Sequence, residues 1–340
     1  MKNILFIFIA ALFMDTSSCK NIEAEFVGIQ GFIFSSTYSV IYESCKKITP
    51  DELKQNIEKI LNEFSASLSS YDSTSLLSRI NRNEDLKVDA YIEEIYKNSV
   101  MISEMSGGLF DITVGPLVRA WGFGPDGRRN FDEQKLDSLL NLVGMDKVKL
   151  VDGKVVKSNP NIVLEFNAIA KGFSVDVVAR YLNKLGIKNY LIEIGGELRV
   201  RGTKNGNLWR VGIDKPEDSN FMKGMAGLQA IVSITDKAMA TSGDYRRFYV
   251  EDGVKYSHTI DPRTGYPVRN RLLSVTTLAD ECGIADGIAT VCMVLGHEKA
   301  IEFINSHPEY SAFMIYSGDN GEFEIWMSES LKEYVVEDTF

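Results

Sequence analysis

Apolar positions along this 340-residue chain switch between a two-residue and a three-to-four-residue spacing, and most switches fall on a cap or a turn residue. Gly31–Tyr42 alternates as a first strand. Thr49-Pro50-Asp51-Glu52 then carries the Thr and Glu of a capping box, with Pro in the first helical turn. Leu53, Ile57, Ile60, Leu61, Phe64 and Leu68 predict the helix that follows, closed at Ser69-Ser70-Tyr71-Asp72. Further helices are predicted over Tyr91–Met105, ending at Ser106-Gly107-Gly108, and over Asp132–Val143, stopped by Gly144. Another carries Val175, Val178, Ala179, Leu182 and Leu185 and is capped by Gly186. Val148–Leu150 and Val155–Lys157 predict a hairpin around Asp152-Gly153, and Ile162–Phe166 a buried strand. Tyr190–Ile194 and Leu198–Arg201 bracket Gly195-Gly196-Glu197, and Trp209–Asp214 and Leu228–Thr235 continue a mostly antiparallel sheet. Tyr245–Glu251 and Val254–Ile260 flank Asp252-Gly253, a strong hairpin signal. Leu273–Ala279 reads as a strand, Gly283–Leu295 and Glu298–Asn305 as helices, and Asp319-Asn320-Gly321 as the turn of a terminal hairpin. The predicted class is α+β.

Composition narrows the function classes. A net charge of −10 argues against nonspecific nucleic-acid binding, which calls for a basic surface, and no Lys/Arg cluster reverses that balance. Ile4–Met14 is too short to span a bilayer and suits a signal-peptide core. Thr16-Ser17-Ser18-Cys19 is similar to a bacterial lipoprotein cleavage site, after which Cys19 becomes the lipidated first residue; ordinary secretion is the alternative. The expected layout is a signal peptide over 1–18, a polar lipidated tether over 19–30 and a single functional unit over 31–340. Cys45, Cys282 and Cys292 lack metal-ligand spacing and, being odd in number, do not form a disulfide framework.

Chemistry concentrates between Ala238 and Val268. Thr241, Ser242, Asp244, His258, Asp261, Arg263 and Thr264 lie there among turn signals, and the central hairpin should bring the two ends of the stretch together. Asp261-Pro262-Arg263-Thr264-Gly265 reads as a turn next to one of only three histidines in the chain. Taken by spacing alone, the stretch fits a polar hairpin rim equally well.

The run ATSGDYRR followed by YSHTIDPRTGYPV resembles the signature of the ApbE family of flavin transferases. Matches continue, in the family's order, at Ser70-Tyr71, Gly107-Gly108-Leu109-Phe110-Asp111, Ala168–Gly172, Gly195-Gly196-Glu197 and Ala285–Thr290. The resemblance implies two intimate lobes with FAD in the cleft between them, and transfer of FMN from FAD to a Ser or Thr hydroxyl with release of AMP. It implies that Tyr71 stacks on adenine, that Leu109, Phe110 and Asp111 meet the adenosine part, and that Glu165 and Ile260 contact the cofactor. The family usually has Asp at the Glu165 position, and Met-Gly-Thr where this chain has Phe34-Ser35-Ser36.

Lys171, near the start of a predicted helix with free N–H groups, is a diphosphate-binding candidate. Neither a P-loop nor a GxGxxG run is present. Asp286 and Thr290, four apart on a predicted surface helix face, offer hard oxygen donors suited to magnesium; the resemblance adds the carbonyl of Ala168 as third ligand. His258 is the candidate base for the acceptor hydroxyl, and His297 and His307 read as structural. By the same resemblance the acceptor is an extracytoplasmic redox subunit with a motif like Ser/Thr-Gly-Ala-Thr/Ser, reached from a membrane by the lipid anchor in the periplasm. Two alternatives stay open: an FAD diphosphatase, in which water takes the acceptor's place, and a non-enzymatic flavin-binding lipoprotein.

Overall fold

The chain opens on a hairpin. Strands β1 (Phe26–Ile33) and β2 (Ser36–Glu43) pair antiparallel from Phe26↔Glu43 to Ile33↔Ser36. Phe34 and Ser35 form the turn at φ 52° and 58°, the left-handed pair that matches strand twist. The strand expected over 31–42 is therefore two strands, and residues 26–30 of the expected tether are sheet, because Val27 and Ile29 pack into the core. The computed structural model describes residues 24–124, 127, 131–216, 227–244, 248–251 and 254–338. The expected signal peptide and the tip of the central hairpin, Asp252-Gly253, lie outside them.

Helix α1 (Pro50–Leu68) begins with the predicted capping box, Thr49 and Glu52 each bonding the other's main chain, and buries Leu53, Ile57, Leu61, Phe64 and Leu68. α2 (Leu76–Asn81), α3 (Ala90–Met105) and α4 (Gly115–Ala120) follow. The helix expected over 132–143 is shorter: a 3-10 turn, Glu133–Lys135, leads into α5 (Leu136–Leu140), and neither buries a side chain that would lengthen it. β3 (Val148–Val151) and β4 (Lys154–Lys157) form the predicted hairpin. Ile162–Phe166 is buried but is not a strand. The Asn81 side chain stands in for a neighbouring strand, its Oδ1 accepting from the Leu164 N–H at 2.8 Å and its Nδ2 donating to the Leu164 carbonyl at 2.9 Å.

α6 (Asn167–Leu185) ends at Gly186, φ 82°. β5 (Tyr190–Ile194), β6 (Glu197–Arg201), β7 (Trp209–Asp214), β8 (Leu228–Ile234) and β9 (Ala238–Gly243) come next. β10 (Phe248–Glu251), β11 (Val254–Ser257) and β12 (Leu272–Ala279) precede α7 (Cys282–Leu295) and α8 (His297–Ser306). The chain then makes β13 (Ser311–Ser317) and β14 (Phe323–Met327), the hairpin expected to be terminal, and continues through α9 (Glu329–Lys332) to β15 (Val335–Asp338).

The described residues form three layers. An eight-stranded antiparallel sheet, β1-β2-β5-β6-β9-β12-β13-β14, lies in the middle. β7 and β8 do not extend it; β8 pairs with both β7 and β15 in a separate sheet. Alternation along β13 shows how the layers are joined: Ala312 and Met314 pack with the helices, Phe313 and Ile315 with the small sheet. A smaller lobe is built on Leu117, Trp121, Phe123, Val143 and Ile260, and the Trp121 Nε1 donates to the Gly265 carbonyl at 2.7 Å. The fold is α+β with mostly antiparallel sheets.

Candidate active site

α6 and α7 run antiparallel and touch at three rungs. Thr290 Oγ1 donates to the Ala168 carbonyl at 3.5 Å. The Gly172 N–H donates to Asp286 Oδ2 at 3.1 Å. The Asp176 carboxylate accepts from the N–H groups of Cys282 and Gly283 at 3.0 and 2.8 Å. Each step of four along α6 is thus matched by a step of about four back along α7, one helical turn on both. The N-cap residue of α7, Glu281, makes no side-chain cap, so Asp176 satisfies two of the orphan donors of α7 from another helix.

The predicted metal ligands therefore converge. Asp286, far from lying on a surface face, is only 5% exposed. Burial and then the nearby Glu197 push its carboxyl up to about 8, partly offset by Lys171 and the Gly172 N–H. Among the described residues no three His, Cys, Asp or Glu side chains group as a metal cage. The donors at hand are one carboxylate, one hydroxyl and one carbonyl, all hard oxygens, a set that fits magnesium with several of its waters retained.

Lys171 is the fifth residue of α6 rather than part of an open helix N-terminus. The Asn167 N–H already donates to Glu165 Oε1 at 3.2 Å. The Lys171 Nζ donates to Glu197 Oε1 at 2.7 Å, with the lysine 42% and the glutamate 2% exposed. Glu197 stood in a recognised motif without a role; only the folded chain gives it one. Asp176 was also missed, although its i+4 spacing from Gly172 is a signal that it shares a helix face.

Tyr71 is 53% exposed. Asn167 Nδ2, at the start of α6, donates to the neighbouring Ser70 Oγ at 3.4 Å. Leu109 and Phe110 are buried core residues, and the Phe110 N–H is taken by Ser106 Oγ; their side chains line no open surface. Asp111 Oδ1 accepts from the N–H and hydroxyl of Thr113. Burial raises its carboxyl above the usual range, and those two bonds oppose the rise.

His258 follows β11 and is half-buried, its ring edge-on to Phe123 with centroids 6.4 Å apart. The turn after it is locked. The Arg263 guanidinium donates to both Asp261 oxygens at 3.0 and 2.7 Å, and the Gly265 N–H to the Asp261 carbonyl at 2.8 Å. Ile260 is buried in the small-lobe core and bridges to Pro267. Thr241 and Ser242 sit in strand β9 opposite Thr276 and Val275, not in the turn predicted for them. His297 stacks on Tyr316 and His307 Nδ1 lies 2.8 Å from the Phe303 carbonyl, in keeping with packing roles.

Fold and site together define a class: an α+β protein whose acid, hydroxyl and carbonyl oxygens are gathered between two antiparallel helices beside a lysine. The ApbE family profile matches residues 34–314. The chain is 36% identical over 319 residues to the FAD:protein FMN transferase of Vibrio cholerae, covering 92% of this chain and 93% of that protein. It is 34% identical to the FAD:protein FMN transferase of Haemophilus influenzae, covering 92% of each. The solved flavin transferase ApbE from Vibrio cholerae superimposes with a TM-score of 0.81 at 36% identity, over 92% of this chain and 99% of that one. The apo form of Pseudomonas stutzeri flavinyl transferase ApbE gives 0.83 at 31% identity, over 92% and 98%. This chain belongs to the ApbE family.

Proposed function

We propose that the protein moves FMN from FAD to a Thr or Ser hydroxyl of another protein, in a magnesium-dependent reaction that releases AMP. Membership of the family makes the chain a transferase, and the relatives it matches over 92% of its length carry the name FAD:protein FMN transferase. The observation that carries the finer reading is the convergence of Asp286, Thr290 and the Ala168 carbonyl one turn from Lys171.

Asp286, Thr290 Oγ1 and the Ala168 carbonyl would hold magnesium, which when bound offsets charge on phosphate oxygens. Lys171 would pair with the diphosphate, while the exposed Tyr71 ring stacks on adenine. Glu165, two residues before α6, and Asp111 would border the nucleotide on the body side, with FAD lying between the two lobes. His258, in neutral form, would take the proton of the acceptor hydroxyl. The hydroxyl oxygen then forms a bond to the FMN phosphorus as the bond to the AMP oxygen breaks, leaving a phosphoester-linked FMN. The acceptor we propose is an extracytoplasmic redox subunit with a Ser/Thr-Gly-Ala-Thr/Ser-like motif, met by an enzyme tethered to the membrane through Cys19.

The test is incubation with FAD, magnesium and a peptide bearing that motif, read by mass. Addition of FMN to the peptide with matching AMP is the expected result. AMP release without any peptide would make the protein a diphosphatase, and no AMP in either case a flavin-binding protein.

A further inference from the structure

Glu197 is the first residue of β6, immediately after the Gly195-Gly196 turn, whose φ values are 64° and 104°. Along β6 the side chains alternate, and the next one, Leu198, packs against the small sheet. Glu197 therefore faces the helices, where its carboxylate is nearly sealed from water yet bonded to Lys171. A Cβ on Gly195 would lie 3.4 Å from Lys171 Cδ, so the lysine stem passes close over the turn to reach Glu197. Burying a carboxylate is costly unless a partner holds it, and here the partner is the cation we assign to the diphosphate.

Glu197 also acts on the other half of the site. It is bonded to Lys171, and the N–H of the next residue, Gly172, donates to Asp286, so adjacent residues of α6 hold the two carboxylates. Glu197 and Asp286 together with Lys171 make two carboxylates and one ammonium, an excess of one negative charge when all three are ionised. A divalent cation turns that excess into one positive charge, which suits an anionic diphosphate.

We propose that Glu197 is a positioning residue of the transfer site: it ties up the Lys171 ammonium while the site is metal-free and, by its negative charge, strengthens the site's hold on a divalent cation. The assignment rests on the reading that FAD and magnesium occupy this site. It makes an opposite-sign prediction. Neutralising Glu197 weakens magnesium binding, because a negative charge is lost. It tightens metal-free FAD binding, because Lys171 no longer shares its charge with the Glu197 carboxylate. General damage to the fold would weaken both.

The experiment uses calorimetry on the full chain, titrating FAD without metal and then magnesium ions at saturating FAD without acceptor. Glu197→Gln is expected to lose about 10–100-fold in magnesium affinity, the usual loss for an outer-sphere partner, while metal-free FAD affinity rises. Glu197→Asp keeps the charge and should restore most of the magnesium affinity, which separates charge from packing. Unchanged magnesium affinity in Glu197→Gln overturns the proposal, as does a parallel fall of both affinities with the melting temperature. A wild-type protein with no magnesium-dependent FAD binding would instead remove the reading on which the proposal rests.

Discussion

The main-chain N–H of Gly172 donates to the carboxylate of Asp286 across 3.1 Å, directly between two helices. Only a glycine permits it. A Cβ at residue 172 would stand 2.3 Å from the Cys282 carbonyl oxygen and 2.9 Å from the Asp286 Cβ. The same residue thus supplies a donor to the acid and the space that lets α7 come near enough to use it.

Gly172→Ala gains about 1 kcal/mol of helix propensity and loses more to overlap, about 1–3 kcal/mol for overpacking against main chain. The clash should win. The expected outcome is a lower melting temperature with weaker magnesium-dependent FAD binding, seen by thermal denaturation and calorimetry. A stabilised variant would show that the helices slide apart without penalty.

Asp286→Asn keeps an oxygen to accept from the Gly172 N–H and removes only the charge. Asp286→Ala also removes the acceptor of that bond, at about 0.5–1.5 kcal/mol. Both should lose magnesium-dependent FAD binding and most transfer, with the alanine variant the less stable of the two. Calorimetry finding native magnesium affinity in the asparagine variant would take Asp286 out of the site.

His258→Ala should bind FAD nearly normally yet lose about 10²–10⁴-fold in single-turnover transfer at saturating FAD, the usual worth of a general base. Only neutral imidazole accepts a proton, so the wild-type rate should rise with pH across the histidine titration and the variant should lack that rise. A near-normal rate in the variant would assign His258 to packing against Phe123.

Asp261 supports an acid-sensitive turn. Burial alone would raise its carboxyl, but hydrogen bonds and charge from Arg263 outweigh that and hold it below the usual range. A depressed folded-state value means stability that is present above the unfolded value, near 4 for a free aspartate, and lost as pH falls through the folded one. Asp261→Asn should therefore melt below wild type at neutral pH, with the gap closing in acid. A gap independent of pH would point to packing instead.

Envelope targeting is tested by mass spectrometry of the mature protein. We expect an N-terminus at Cys19 carrying several acyl chains, since one chain alone gives only marginal membrane binding. An unmodified cysteine or cleavage elsewhere would leave a soluble secreted protein.

By itself the sequence determined whatever a few neighbouring residues control. The capping box at Thr49, the αL stop at Gly186 and the hairpin turn at Asp152-Gly153 depend on contacts within one turn, and they appear where the pattern places them. The i,i+4 pair Asp286 and Thr290 was legible for the same reason, and the ordered ApbE-like motifs named the family. Tertiary structure decided which faces meet. Asp176 reaches Cys282 across 106 positions and Asn81 clamps Leu164 across 83. That the side chains of Leu109, Phe110 and Ile260 belong to the core was decided there too, because their apolar neighbours are remote in sequence. Glu197 acquires its role only because β6 is laid beside α6, bringing a carboxylate within 2.7 Å of Lys171. Periodicity tells which side of an element is apolar; the packing of whole layers chooses the partner for each polar group left among them.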